Sequence, residues 1–298
     1  MRALIVGCGY VGLPLGKELV RQGHAVFGLR RSLLAEAELQ AAGITPLHAD
    51  ITQPETLGQL PRDFDWVVNC AASGGGDADD YRKIYLEGNY NLVKWLADSP
   101  VKKFIYTSST SVYGQNDGSV VTEKSPAEPA AATSKILLET EKLLLETVAQ
   151  KNFPAVILRV AGIYGPGRGH SFKQFLRGEA RIEGDGARWL NMIHRADLIG
   201  VIISALRDAP PGEIFNAADN EPVSQLEFFK WLATELKKSM PPTVLADTEA
   251  WRKRGVTNKR VSNAKLRAEL KCAFQFPDFR AGYAAEITRL KSDGGLDF

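Results

Sequence analysis

Short apolar runs alternate with amphipathic stretches through the first two thirds of the chain. The opening run at 1–6 is rich in β-branched residues and predicts a buried strand. The predicted strands are 1–6, 24–29, 44–49, 65–70, 101–108 and 154–160, and the predicted helices are 13–20, 32–42, 81–97 and 135–150. This repetition predicts an α/β fold with a doubly wound parallel sheet and helices on both faces.

The regular alternation weakens after residue 165. Proline pairs at 210–211 and 241–242 interrupt the later pattern, and the remaining segments are short and mixed. We therefore expect a first domain over 1–165, to which segments near 190–218 return. A smaller, mainly helical region is expected over 166–298.

Composition and charge narrow the functional classes. The 298 residues are 44% hydrophobic and 24% charged, with a net charge of +2, as is typical of a soluble globular protein without a nucleic-acid partner. The basic cluster at 251–254 is short, and we interpret it as a solvated face or a phosphate contact. No apolar run is long enough to cross a membrane.

The three cysteines are widely spaced along the chain. Their spacing predicts neither a disulfide framework nor a metal site, which suits a reducing cytoplasm. Because the chain opens directly on a predicted strand, no signal peptide is expected.

A glycine-rich turn joins the first predicted strand to the first helix. In the sequence Gly7-Cys-Gly9-Tyr10-Val11-Gly12, the spacing GxGxxG occurs between a strand and a helix, as a dinucleotide site requires. Gly7 permits the tight turn, Gly9 lets the backbone approach a pyrophosphate, and Gly12 lets the helix pack closely. The helix N-terminus favours negative charge, so we predict a Rossmann-type dinucleotide site.

The end of the second strand bears on which dinucleotide is bound. Arg30 and Arg31 stand where NAD-binding units carry an acidic residue for the ribose hydroxyls. A guanidinium can bind a 2′-phosphate that an acid would repel, so NADP is favoured. The alternative is that both are surface charges and NAD is bound. The further cofactor contacts expected at strand ends are Asp50, Ile51, Ala71, Ala72, Ser73, Thr107 and Ala161.

Five segments together resemble one known family. They are TSSTSVYG at 107–114, RVAGIYGPG at 159–167, NMIHRAD at 191–197, FNAA at 215–218 and SNAKLRAEL at 262–270. The chain resembles the extended short-chain dehydrogenase/reductases of the NAD(P)-dependent epimerase/dehydratase type. The resemblance implies an NAD(P) cofactor, a small-molecule substrate bound by the later region, and a homodimer through helices 81–97 and 135–150.

The resemblance also implies a catalytic set, which this chain departs from at one position. Family members are expected to use a Ser or Thr with a Tyr and a Lys in a YxxxK spacing. A Lys one helical turn away lowers the pKa of a phenol from about 10, so that it can exchange protons near neutrality. Ser109 and Lys135 match the hydroxyl and the lysine, but Ala131 stands where the tyrosine is expected. Lys135 can still bind the nicotinamide ribose.

Another phenol could supply the missing proton. Tyr85, in YLEGNYNL, stands where relatives usually carry Asn on the preceding helix. We hypothesise that Tyr85 reaches toward the nicotinamide, and the alternative is that it packs between helices. His170 is a second candidate donor, although a solvated loop histidine is the favoured interpretation.

Two functions are consistent with these residues. The first is an atypical NADP-dependent oxidoreductase or epimerase/dehydratase that acts on a small carbonyl, hydroxyl or sugar-type substrate. The second is a non-catalytic NADP(H)-binding sensor, which the absent tyrosine favours. The retained Ser109 and Lys135 favour the enzyme.

Overall fold

Seven of the strands build one parallel sheet. The computed structural model describes residues 1–245 and 257–294, so the basic cluster at 251–254 lies outside the described residues. The strands are β1 (Arg2–Val6), β2 (Ala25–Arg30), β3 (Thr45–His48), β4 (Trp66–Asn69), β5 (Lys103–Ser109), β6 (Val120–Val121), β7 (Ala155–Val160), β8 (Gly162–Tyr164), β9 (Ile182–Glu183), β10 (Trp189–Leu190), β11 (Met192–His194), β12 (Ile214–Ala217), β13 (Val223–Ser224), β14 (Thr243–Val244) and β15 (Arg260–Val261). The large sheet has the order β12-β7-β5-β4-β1-β2-β3, which confirms the predicted doubly wound α/β class.

The helices lie on both faces of this sheet and in the later region. They are α1 (Gly12–Arg21), α2 (Glu36–Ala41), α3 (Pro54–Leu57), α4 (Ala78–Tyr81), α5 (Gly88–Trp95), α6 (Ala132–Lys151), α7 (His170–Leu176), α8 (Arg195–Asp208), α9 (Gln225–Leu236), α10 (Ala264–Leu270) and α11 (Phe279–Ser292). No helix among residues 1–245 and 257–294 is long and apolar enough to cross a membrane.

Alternate residues of each strand enter two different cores. On β1, Leu4 and Val6 pack with α3, α5 and α6, whereas Ala3 and Ile5 pack with α1, α2, α8 and α10. Successive side chains of a strand point to opposite faces, so a strand covered on both sides is apolar throughout. This explains the continuous apolar runs in the sequence.

The later region has a core of its own, rich in aromatic side chains. Tyr164, Phe228, Phe279 and Tyr283 are fully buried there, and helices α7, α9 and α11 supply most of the remaining side chains. Short two-strand pairs such as β8–β11 and β6–β15 connect this region to the sheet domain.

One predicted helix has an irregular backbone. The helix expected over 81–97 consists of α4, a π-helical segment at Arg82–Glu87, and α5. A π-helical turn inserts an extra residue and changes which side chains face inward, and such turns are frequent at functional sites. This segment carries Tyr85.

The sheet places a crevice above β1 and β4. The strand order reverses at β1, which has β2 on one side and β4 on the other. Ligands of open α/β sheets bind beyond the carboxyl ends of the strands at such a reversal.

Candidate functional site

A cavity of about 1050 Å³ lies above the carboxyl ends of the central strands. Its walls come from the ends of β1, β2, β4, β5 and β7, from the π-helical segment, and from the later region. The sequence-predicted residues that line it are Gly7, Gly9, Tyr10, Val11, Arg30, Arg31, Asp50, Ile51, Ala71, Ala72, Tyr85, Thr107, Ser109 and Ala161.

Three predicted residues lie outside the cavity wall. Gly12 is buried behind the turn, in agreement with its expected packing role. Ser73 is half-buried after β4, and Lys135 is exposed on the first turn of α6. Ala131 immediately precedes α6 and also lies outside the lining. A contact between Lys135 and the cofactor therefore stays a prediction.

The glycine turn is shaped to leave its backbone accessible. Gly7 has a φ of +77°, and a Cβ there would lie 2.6 Å from the backbone of Ala71. A Cβ at Gly12 would lie 2.6 Å from the carbonyl oxygen of Gly7, whereas Gly9 faces open space. The turn and the N-terminus of α1 therefore form a cradle that fits a dinucleotide pyrophosphate.

Both arginines after β2 face the same end of the cavity. Arg30 Nη1 lies 3.2 Å from Glu38 Oε2, and Arg31 Nη1 lies 3.7 Å from Asp50 Oδ2. These pairs are partly exposed, and such pairs contribute about 0–1 kcal/mol to stability. A ligand phosphate can therefore compete for either guanidinium.

Hydroxyl groups form the wall at the end of β5. Ser109 Oγ accepts the N–H of Ser111 at 3.2 Å, and Thr107 Oγ1 donates to the carbonyl of Asn69 at 3.0 Å. Cys70 lines the same wall, and burial raises the pKa of its thiol to about 12. The thiol is therefore protonated and is no nucleophile near neutrality.

Tyr85 lines the cavity and is 5% exposed. A chain of buried amides ties its helix to the glycine-turn wall. Asn89 Nδ2 donates to the carbonyl of Tyr85 at 2.6 Å, and Asn69 Nδ2 donates to Asn89 Oδ1 at 3.0 Å. Asn69 Oδ1 in turn accepts the N–H of Ala71 at 3.0 Å. The position of Tyr85 is thus fixed relative to the predicted cofactor cradle.

A buried ion pair lies beneath the hydroxyl wall. Arg159 Nη2 lies 2.7 Å from Glu141 Oε2, and both side chains are nearly fully buried. Ser108 Oγ donates to Glu141 at 2.6 Å, and Arg159 Nη1 donates to the Tyr113 hydroxyl at 2.9 Å. Tyr113 also donates to Asn216 at 2.8 Å, so its phenol is held within the structural network.

Tyr10, the aromatic residue of the glycine turn, lies close to two cations. The guanidinium carbons of Arg168 and Arg195 lie 5.0 Å and 4.6 Å from the ring centroid of Tyr10. Arg168 and the exposed His170 line the cavity, whereas Arg177 pairs with Glu179 at the surface. Arg188 also lines the cavity and lies 3.6 Å from Glu183.

His194 and Tyr164 have structural surroundings. His194 Nδ1 accepts the N–H of Ala196 at 3.2 Å and caps α8, and burial lowers the pKa of its imidazole to about 4. Tyr164 stacks on Tyr283 with ring centroids 4.4 Å apart, and burial raises the pKa of its phenol. Neither group is charged near neutral pH.

The sequence-based reasoning missed one cavity residue of functional interest. Lys259 precedes β15, is 4% exposed and lines the cavity together with Thr257. Lys259 lies three residues before the segment SNAKLRAEL at 262–270, but the family resemblance gave it no role. It is also far along the chain from the other site residues.

A buried carboxyl group adjoins the aromatic core of the later region. Asp219 is 2% exposed, and its Oδ2 has no hydrogen-bond partner among residues 1–245 and 257–294. Burial raises the pKa of Asp219 well above its usual range, and the nearby Asp278 and Glu221 act in the same direction. The ionised form therefore destabilises the fold at neutral pH.

Replacing this carboxyl group should stabilise the protein in a pH-dependent way. A raised folded-state pKa means that stability is lost as pH rises above the unfolded value of about 4. We expect Asp219→Asn to raise the free energy of unfolding by about 1–2 kcal/mol at pH 8 and by less at pH 5. Thermal unfolding at both pH values measures this.

Asp197→Asn is the contrasting control for this prediction. Asp197 is also buried, but its two carboxylate oxygens accept the N–H groups of Gln275 and Phe276 at 2.6 Å and 3.0 Å. An amide can accept only one of these bonds, so this variant should be less stable. Equal effects of the two substitutions would contradict the assignment of Asp219 as a buried acid whose Oδ2 accepts no hydrogen bond from the described residues.

Comparison with known proteins gives a family match and several relatives. The model of the NAD dependent epimerase/dehydratase family matches residues 3–218. Protein YeeZ of Escherichia coli K12 is 28% identical over 290 residues, which cover 93% of this chain and 97% of that protein.

Solved structures agree with this match. A candidate NAD-dependent epimerase/dehydratase from Methylobacillus flagellatus is 32% identical, with a TM-score of 0.76 over 97% of this chain and 98% of that one. The UDP-glucuronic acid 4-epimerase of Bacillus cereus, in complex with UDP-glucuronic acid and NAD, is 24% identical, with a TM-score of 0.82 over 98% and 99%. At 24% identity, the likeness to the Bacillus cereus epimerase shows a shared fold and no more.

Proposed function

This chain belongs to the NAD dependent epimerase/dehydratase family, and we propose that it is an NADP-dependent oxidoreductase acting on a small carbonyl, hydroxyl or sugar-type substrate. The observation that carries the proposal is one continuous cavity with two different ends. One end has the glycine cradle and two arginines, and the other has a hydroxyl wall and Tyr85. The comparisons give no support to a non-catalytic sensor.

The cradle end supports dinucleotide binding. The turn at Gly7–Gly12 presents backbone and a helix N-terminus to a pyrophosphate, and Ile51 and Asp50 flank the adenosine side. Arg30 and Arg31 line the same end of the cavity and would bind the 2′-phosphate of NADP. The NAD seen in the Bacillus cereus neighbour belongs to that protein, and NADP is our proposal for this chain.

The other end supports proton exchange at a substrate oxygen. When bound, the nicotinamide would supply or accept a hydride. Ser109 stands at the end of β5 to hold the substrate oxygen, and Tyr85 faces the same cavity to exchange its proton. In this arrangement Tyr85 takes the role of the tyrosine that the family resemblance expects at position 131.

Removing both arginines tests the cofactor part of the proposal. We expect Arg30→Ala with Arg31→Ala to weaken NADPH binding about tenfold or more, because two charge-assisted contacts to the 2′-phosphate are lost. NADH binding should change by less than about threefold, since NADH lacks that phosphate. Fluorescence titration with each cofactor measures both affinities.

Arg21→Ala is the matched control for this test, because Arg21 is an exposed residue of α1 outside the cavity. Equal affinity of the native protein for NADPH and NADH would refute the NADP assignment. Substrate-dependent change in NADPH absorbance over aldehydes, ketones and sugars then tests the oxidoreductase activity itself.

The remaining expectations concern location and assembly. We propose that the protein is cytoplasmic, because its three cysteines are free thiols, which suits a reducing compartment. A homodimer through the helices predicted at 81–97 and 135–150 stays a prediction, and sedimentation velocity would test it.

A further inference from the structure

Lys259 is a buried cation in the cavity wall. Its ammonium donates to the carbonyl of Tyr113 at 3.0 Å and to Thr257 Oγ1 at 2.7 Å. An ammonium group has three N–H donors, so one remains for a group in the cavity. No carboxylate among residues 1–245 and 257–294 forms an ion pair with it, and burial is the cause of its lowered pKa.

Such a group is costly to the folded protein. Burial alone lowers the pKa of Lys259 to about 8, so the ammonium is still mainly charged at neutral pH. A buried charge is normally paired, because its loss of hydration is otherwise uncompensated. An unpaired cation that faces a cavity is therefore a candidate for ligand binding.

The backbone around Lys259 is rigidly held. Asn191 Nδ2 donates to the carbonyl of Lys259 at 2.9 Å, and Asn191 Oδ1 accepts the N–H of Val261 at 2.7 Å. Asn258 Oδ1 accepts the N–H of Trp189 at 3.0 Å, and β15 pairs with β6. The ammonium is therefore preorganised, which reduces the entropy lost when a ligand binds.

The charges along the cavity have an uneven distribution. Among the lining residues that the structure describes, Asp50 is the one carboxylate, and it lies at the adenosine end beside Arg31. The opposite part of the cavity carries Lys259, together with Arg188, which is paired with Glu183. The walls of this part of the cavity therefore favour a substrate that carries an anionic group.

We propose that Lys259 binds a carboxylate or phosphate oxygen of the substrate, so that the enzyme acts on anionic substrates. The inference rests on the proposed function, because it places the substrate in the half of the cavity away from the cofactor cradle. Lys259 anchors the substrate, while Tyr85 and Ser109 face its reacting oxygen.

The test uses the NADPH-saturated protein, so that the cofactor's own phosphate contacts are occupied. Inorganic phosphate and malonate are titrated separately at constant ionic strength, up to tens of millimolar, by isothermal calorimetry. We expect one probe to bind the native protein, which identifies the anion as phosphate or carboxylate. Lys259→Met should weaken that binding about tenfold or more, and Lys259→Arg should retain part of it.

Lys173→Met is the matched control, because Lys173 is an exposed cation of the same cavity wall. It removes the same charge and should change the affinity less than about twofold, since exposed charges are screened. Equal losses in the Lys173 and Lys259 variants, or no binding of either probe to the native protein, would overturn the inference.

Failure of the inference can be separated from failure of the proposed function. The affinity for NADPH is measured first in every variant, and we expect it to be unchanged in Lys259→Met. A native protein that fails to bind NADPH contradicts the proposed function. Normal NADPH binding with anion affinity independent of Lys259 contradicts the inference alone.

Discussion

Replacing Tyr85 by Phe should lower turnover by about two orders of magnitude or more, since it removes the hydroxyl that we propose as the proton donor of the reaction. The phenol lines the cavity on a π-helical segment, and the buried pair Asn69–Asn89 fixes that segment against the cofactor cradle. Phe keeps the ring and its packing, so the fold and the affinity for NADPH should be preserved. Steady-state kinetics with the substrate found in the screen measure the loss.

Tyr90→Phe is the control for this substitution. Tyr90 lies on the adjoining helix α5 and is 54% exposed, so removing its hydroxyl should leave turnover unchanged. If Tyr85→Phe retains turnover within about threefold, proton transfer by Tyr85 is excluded, because a lost acid or base costs far more.

The variant Ala131→Tyr tests independently which position in the chain supplies the proton donor. It restores a phenol four residues before Lys135, where the family resemblance expects one. Because Ala131 lies outside the cavity lining and Lys135 is exposed, we expect no gain in activity from this variant. A large gain would place the proton donor at the start of α6 rather than on the π-helical segment.

Replacing Arg159 by Met should lower the free energy of unfolding by about 3–5 kcal/mol, because it leaves the carboxylate of Glu141 buried without its cation. Both side chains are nearly fully buried, and Arg159 makes three hydrogen-bond contacts with Glu141. Urea denaturation of the native protein and the variant measures the difference.

An exposed pair that also uses a glutamate of α6 provides the comparison. The distance from Arg82 Nη2 to Glu139 Oε2 is 3.0 Å, which is close to that in the buried pair, but each side chain is about half exposed. We expect Arg82→Met to cost less than about 1 kcal/mol. The double variant Arg159→Met with Glu141→Leu should recover much of the loss, since apolar replacements of a buried pair are often tolerated. Additive losses in the double variant would contradict this account.

Local sequence determined the central sheet and the position of the cofactor cradle. The apolar runs and the amphipathic segments between them predicted six of the seven strands and four of the flanking helical segments. The helices α3, α8 and α10, which also pack on the sheet, were not predicted. The strand β12 (Ile214–Ala217) was not predicted, and its segment at 215–218 entered only as part of the family resemblance. The glycine turn was readable because its chemistry depends on neighbours within six residues, and Gly7 has the positive φ that only glycine adopts easily.

The chemical character of the rest of the cavity was decided by tertiary structure. Lys259 contacts Tyr113, 146 residues earlier, and no local pattern indicates that its ammonium is buried. The π-helical register that brings Tyr85 to the cavity arises in a segment with an ordinary helical pattern. Lys135 occupies the expected place in the sequence and yet is exposed.

A strand or a turn follows from interactions between neighbours along the chain, whereas the charge and accessibility of a side chain depend on what the fold packs against it. The sequence by itself therefore determined the fold class and the cradle for a dinucleotide. Only the tertiary structure decided that Tyr85 lines the cavity, that Lys259 is buried with no ion pair to a carboxylate of the described residues, and that the carboxyl group of Asp219 is buried.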